Sequence, residues 1–94
     1  MSTIKIAGAA VNQIPFHWKN NKANILAAID AAKKENIKLL CLPELCITGY
    51  GCEDVFLSDW LSERAWQELQ SIKEFTEDIT VSVGLPVQIG RAHV

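Results

Sequence analysis

The stretch Ile37-Lys38-Leu39-Leu40-Cys41-Leu42-Pro43-Glu44 (IKLLCLPE) decides how the remainder of the chain is read. Ile37 to Leu42 is too apolar for a sheet edge open to water, so it reads as an interior strand. Pro43 has no N–H to give to a ladder, and the strand is expected to end there. Glu44 then stands just beyond its carboxyl end.

Working outward, the residues before this strand carry a helical pattern. Ile25, Leu26, Ile29 and Ala32 recur at helical spacing between Lys22 and Glu35, while Lys22, Asp30, Lys33 and Lys34 fall mostly on other faces. Asn20 or Asn21 is the expected cap, and Asn36 the expected stop, because Asn tolerates the left-handed conformation that ends many helices. Further upstream, Ile4 to Val11 (IKIAGAAV) is a nearly continuous apolar run, the pattern of a strand covered on both faces. Pro15 makes Asn12 to Lys19 irregular, with Asn12 and Gln13 as turn-compatible polar residues.

Downstream, Leu45 to Phe56 reads as a loop holding Gly49 and Gly51. A second helix is expected within Asp59 to Phe75, with Leu61, Ala65, Leu69 and Ile72 on one stripe and Trp66 beside it. Ile79, Val81, Val83 and Leu85 alternate with Thr80, Ser82 and Gly84, which is the period of a third strand limited by Pro86. The order is β-α-β-α-β, an α/β layered fold with helices packed on a sheet.

Composition excludes several functions. Over 94 residues, 49% are hydrophobic and 21% charged, which allows a buried core and argues against a disordered tail. Nine Lys and Arg are scattered among eleven acids for a net charge of -2, so no basic stripe marks a nucleic-acid or anionic-membrane surface. No apolar run approaches membrane-spanning length, and MSTIKIAGAAVNQ lacks the order of a secretory signal.

Cys41, Cys46 and Cys52 are odd in number and suit a reducing compartment better than a disulfide framework, which makes the cytoplasm the expected location. Their spacings are not those of common zinc sites, and neither His17 nor His93 is near them in sequence. Buried structural thiols are the default expectation. His17 beside Trp18 on an irregular loop is a weak signal for a ligand.

In open α/β sheets, catalytic groups collect beyond the carboxyl ends of strands, where Glu44 is placed. Apolar strand residues up to Leu42 are expected to desolvate its carboxylate and raise its pKa toward a range useful for proton transfer. The plainer alternative is an acid that caps a turn or faces water.

The segment LCLPELCITGYGCEDVFLSDW, Leu40 to Trp60, resembles the nitrilase (carbon–nitrogen hydrolase) superfamily. The pattern there is an apolar strand, Pro-Glu, four residues and Gly-Tyr, matched by Pro43-Glu44 and Gly49-Tyr50. More narrowly, Gly51-Cys52-Glu53-Asp54 is similar to the amino-terminal glutaminase domain of glutamine-dependent NAD synthetases. The resemblance extends to Asn12-Gln13 and to Val83-Gly84-Leu85-Pro86. It implies the start of a nitrilase-like α-β-β-α sandwich, truncated, over residues 1–88.

The family's catalytic set is Glu, Lys and Cys, and only Glu44 has a counterpart in this sequence. The resemblance implies that Glu44 takes a proton from a cysteine thiol, which attacks the side-chain amide of glutamine. A lysine steadies the oxyanion, ammonia leaves, and water releases glutamate. The lysine and the nucleophile lie further along than this chain reaches. None of Cys41, Cys46 and Cys52 matches the nucleophile, so the chain by itself is expected to be inactive. Tyr50 resembles a tyrosine near the family's active site and is a candidate for substrate binding, with ring burial as the plainer reading. Glu53 and Asp54 either shape the substrate mouth or cap the following helix. Trp60 and Trp66 are expected to pack in a core or an interface.

No cofactor is expected for this segment. ATP and Mg are implied for a carboxy-terminal synthetase domain, which receives the ammonia in a parent expected to be a homo-oligomer. Alternatives remain: a stand-alone amidase of the same superfamily, a non-catalytic interaction module, or half of a dinucleotide-binding fold. The last lacks support, since VNQIPFHWKNN (Val11–Asn21) contains no G-x-G-x-x-G and no P-loop. Ile89 to Val94 (IGRAHV) is what ATC GGA AGA GCA CAC GTC encodes, a string that reads as a sequencing-library adapter. Residues 89–94 are therefore expected to be a non-native tail.

Overall fold

Short apolar runs separated by helical patterns suit parallel pairing, which needs a crossover connection such as a helix. The computed structural model describes residues 4–49, 59–85, 88–89 and 92–93. Within them β1 (Ile6–Gly8), α1 (Trp18–Lys34), β2 (Leu39–Cys41), α2 (Asp59–Lys73) and β3 (Thr80–Ser82) follow in the expected order. The sheet order is β1-β2-β3, parallel throughout. Leu39 lies between Ile6 and Thr80, Leu40 between Ala7 and Val81, and Cys41 between Gly8 and Ser82. The apolar β2 is thus the interior strand. An antiparallel pair, β4 (Gln88–Ile89) with β5 (Ala92–His93), follows.

Parallel crossovers share one hand, so both helices fall on the same face of the sheet. That face carries the Ala7-Leu40-Val81 row, and against it pack Ile25, Ile29 and Ala32 of α1 with Ala65 and Ile72 of α2. The opposite face is not covered among the described residues. Ile6 is 64% exposed, Gly8, Cys41, Thr80 and Ser82 are exposed, and Leu39 is half-buried. Of the two layers expected to cover the first strand, the described residues supply only one, the helix layer.

Helix α1 starts four residues earlier than the sequence suggests. His17 is its N-cap and makes no side-chain capping bond, so neither Asn20 nor Asn21 caps it. Asn21 lies instead on the buried stripe with Ile25 and Ile29. The far end behaves as expected. Asn36 adopts φ 60°, Asn36 N–H donates to the Lys33 carbonyl at 3.1 Å, and Ile37 N–H to the Ala32 carbonyl at 2.9 Å. That is a Schellman closure, with Ile37 packed onto the core as its hydrophobic contact.

On α2, Leu61, Ala65 and Ile72 are buried and Leu69 is half-buried, as the stripe requires. Trp60 and Trp66 are about half exposed (54% and 51%), so of their two expected roles, core or interface packing, the core one is not found. Trp60 meets the Phe16 ring at 5.9 Å, and Phe16 meets Trp18 at 6.4 Å. Arg64 lies over the Trp18 ring at 5.0 Å and bonds Glu68 at 2.9 Å, joining the two helices at this end. No helix among the described residues is long and apolar enough to cross a membrane.

Candidate active site

Glu44 stands where the sequence places it, past the carboxyl end of the central strand and at the start of a turn spanning 44–48. Its side chain is exposed. The predicted enclosure by apolar strand residues is thus not found, because Leu40 and Leu42 are buried in the core with the helices.

The backbone after Glu44 is unusual. Leu45 adopts φ 58°, a left-handed conformation disfavoured for a branched side chain. Strain of this kind persists only where the surroundings over-determine it. Here Gly49 N–H closes the turn onto the Leu45 carbonyl at 2.8 Å, and Ile47 N–H donates to the Gly84 carbonyl at 3.3 Å.

The segment preceding α1 holds the other side. Three successive carbonyls of the turn are taken up by it together with Asn21 in the first turn of α1. Gln13 Nε2 donates to the Cys46 carbonyl at 2.6 Å, Asn21 Nδ2 to that of Ile47 at 3.2 Å, and Phe16 N–H to that of Thr48 at 3.0 Å. Asn21, 0% exposed, also accepts from Ile14 N–H at 3.0 Å and donates to the Ile14 carbonyl at 2.8 Å. A buried amide bonded at both ends stabilises where an unpaired one costs about 1–3 kcal/mol per group. Gly49, at φ 82°, lets these segments touch, since a Cβ there would sit 2.8 Å from the Ile14 carbonyl group and from Pro15 N.

Cys46, two residues past Glu44, is a core residue. It is fully buried, its Sγ lies 3.8 Å from the Gly84 carbonyl oxygen, and burial pushes its thiol above the ordinary value of 9.0. A thiol kept protonated and packed is the reverse of an attacking thiolate. Cys41 departs from the expected burial. It is exposed, on the uncovered face of the sheet. Tyr50, Cys52, Glu53 and Asp54 lie outside the described residues. Exposed His17 lines an open depression with Trp18, Lys19, Asn20, Ala23 and Arg64. Among the described residues no group of three or more His, Cys, Asp or Glu side chains could hold a metal ion.

Sequence reasoning missed Gln13, Asn21 and Gly84 as builders of this site. The signal for Asn21 was available, because a polar residue four positions before Ile25 and eight before Ile29 sits on a buried stripe. Gln13 and Gly84 lie in the stretches Asn12-Gln13 and Val83-Gly84-Leu85-Pro86 that carry the family resemblance, but nothing local shows their contacts with the turn.

A model of the carbon-nitrogen hydrolase family matches residues 5–88. The glutamine-dependent NAD(+) synthetase of Dictyostelium discoideum is 41% identical over 90 residues, which are 93% of this chain and 13% of that protein. The one from Arabidopsis thaliana is 38% identical over 89 residues, covering 93% and 12% respectively. The crystal structure of a glutamine-dependent NAD(+) synthetase from Cytophaga hutchinsonii superposes with a TM-score of 0.94 at 58% identity, over 98% of this chain and 16% of that one. The chain thus has the opening β-α-β-α-β fold of such a nitrilase-like sandwich, and it spans a small fraction of the length of the relatives it matches.

Proposed function

The chain belongs to the carbon–nitrogen hydrolase family, and on that premise we propose that it is the opening part of a glutaminase domain in a glutamine-dependent NAD synthetase. The observation that carries this reading is the place of Glu44. The residue stands just past the carboxyl end of the central parallel strand, on a turn held from two sides, in a chain 58% identical to such a synthetase over 98% of its own length. Loops beyond strand ends are where such sheets hold reacting groups.

In this reading Glu44 is the general base. Its carboxylate takes the proton of a cysteine thiol supplied by a further part of the domain outside residues 1–88, and the thiolate attacks the glutamine side-chain amide. The proton passes to the leaving nitrogen, ammonia departs, and water, deprotonated by the same carboxylate, releases glutamate from the thioester. A lysine, from that same further part, faces the oxyanion. The exposure of Glu44 fits a carboxylate whose partners come from that further chain. ATP and Mg belong to the synthetase part, which would use the ammonia to amidate nicotinic acid adenine dinucleotide. By itself this segment has the base and neither partner, so it is inactive.

Residues 89–94 are proposed to be foreign to the domain, a reading supported by the end of the family match at residue 88. A stand-alone amidase of the same family is the second reading, and the name shared by the matched relatives favours the synthetase.

The test is Glu44→Gln in the full-length protein that carries this segment. Glutamine-dependent synthesis should fall by about 10²–10⁴-fold, the usual contribution of a general base, with ammonia-dependent synthesis unchanged. Equal loss of both would remove Glu44 from this role.

A further inference from the structure

The geometry points to Gln13 as a positioning residue for Glu44, acting through the Cys46 carbonyl; this rests on the reading of Glu44 as the general base. Gln13 sits between β1 and α1, half-buried, and its side-chain amide is bonded at both ends. Its Oε1 accepts from Asn24 Nδ2 at 2.8 Å, while its Nε2 donates to the Asn21 carbonyl at 3.0 Å and the Cys46 carbonyl at 2.6 Å. Two carbonyl acceptors on one side and an amide donor on the other leave one orientation of the Gln13 amide that satisfies all of them. The side chain is therefore locked, and with it the distance from α1 to the turn.

That distance sets the position of the carboxylate. Between Glu44 and the Gln13 anchor lies only Leu45, in the left-handed region at φ 58°. A residue so placed relaxes toward ordinary φ unless the chain is fixed on both sides. On one side the fixed point is β2, whose ladder continues through the bond from Leu42 N–H to the Ser82 carbonyl at 3.0 Å. On the other it is Cys46, whose side chain is buried in the core and whose carbonyl is held by Gln13. Asn21 and Phe16 bond the next carbonyls, of Ile47 and Thr48, and so act further from Glu44. Asn21 is also wholly buried and bonded twice to Ile14, which makes it a fold residue first. Gln13 is the anchor nearest the carboxylate whose loss the core can survive.

The experiment uses the full-length protein with Gln13→Met, which keeps the length of the side chain and removes its hydrogen bonds, and Gln13→Ala, which removes both. The expected result is a fall in kcat for glutamine use of about ten- to a hundredfold, the scale of an ångström of misplacement at a reacting group. KM for glutamine and ammonia-dependent synthesis should not change. Adding Gln13→Met to Glu44→Gln should cause no further loss, because a residue that acts only through Glu44 has nothing left to position. Unchanged kcat, a rise confined to KM, or a further loss in the double variant overturns the proposal. So does parallel loss of glutamine- and ammonia-dependent activity in both single variants, which makes Gln13 a fold residue alone. Glutamine use that survives Glu44→Gln overturns the glutaminase reading itself, whatever Gln13 does.

Discussion

Gly84 and Glu44 approach so closely that a Cβ built on Gly84 would stand 2.8 Å from the Glu44 Cα and 2.9 Å from its carbonyl carbon, and closer still to Leu45 N. All three are backbone atoms, which cannot swing aside as the end of a flexible side chain can. The end of the third strand is thereby a gauge for the peptide that follows Glu44.

Gly84→Ala should accordingly act on both stability and chemistry. Forcing a methyl group into this contact costs about 1–3 kcal/mol, the range for overpacking a well-filled site. The Glu44–Leu45 peptide is the part that must yield. Chemical denaturation of the full-length protein should show the loss, and glutamine-dependent synthesis should fall further than ammonia-dependent synthesis. Wild-type behaviour in both assays would mean that the turn moves away freely, contrary to the bonds that hold it.

Much of this was legible beforehand, and the reason lies in which interactions are local. The apolar run Ile37–Leu42 with Pro43 behind it placed the central strand and set Glu44 at its end, because a proline's missing donor acts within one residue. The stop at Asn36 was equally local. What escaped was the work of Gln13 and Gly84, whose partners lie 33 residues away at Cys46 and across the sheet at Glu44. No spacing rule connects such positions, since their contact exists only once β1, β2 and β3 are in register. The exposed face of β1 escaped for a related reason. Ile4 and Ile6, 71% and 64% exposed, have the composition of residues covered on both sides, and composition does not say which chain supplies the cover.

That face gives a prediction for the 94-residue chain expressed by itself. Exposed isoleucines beside open strand edges favour association between copies. Sedimentation should show concentration-dependent association, and Ile6→Lys should reduce it while changing the fold stability by less than about 0.5 kcal/mol, as for other exposed positions. In the full-length protein the same substitution should be severe, because a sandwich covers this face with its second sheet and a lysine there would be buried without a partner. A monomer at all concentrations, or a full-length protein indifferent to Ile6→Lys, would show that the face needs no cover.

Cys46 separates a core thiol from a reacting one through its pH dependence. Below the ordinary thiol value of 9.0 both the folded and the unfolded chain hold the proton, so the group adds no slope to stability. Above it the unfolded chain releases the proton while the folded chain, whose value burial has raised, keeps it. Stability must then fall with rising pH, by up to about 1.4 kcal/mol per pH unit for one proton, until the folded value is passed. Cys46→Ala should remove that share of the alkaline slope at a cost of roughly 1 kcal/mol for the small cavity. It should also leave most glutamine-dependent synthesis in place, because the thiol that attacks is supplied elsewhere. Denaturant titrations of both proteins on either side of the ordinary thiol value would measure the difference in slope. An unchanged slope would mean that Cys46 is not held protonated by its surroundings, and loss of glutamine use alone would make this thiol part of the chemistry.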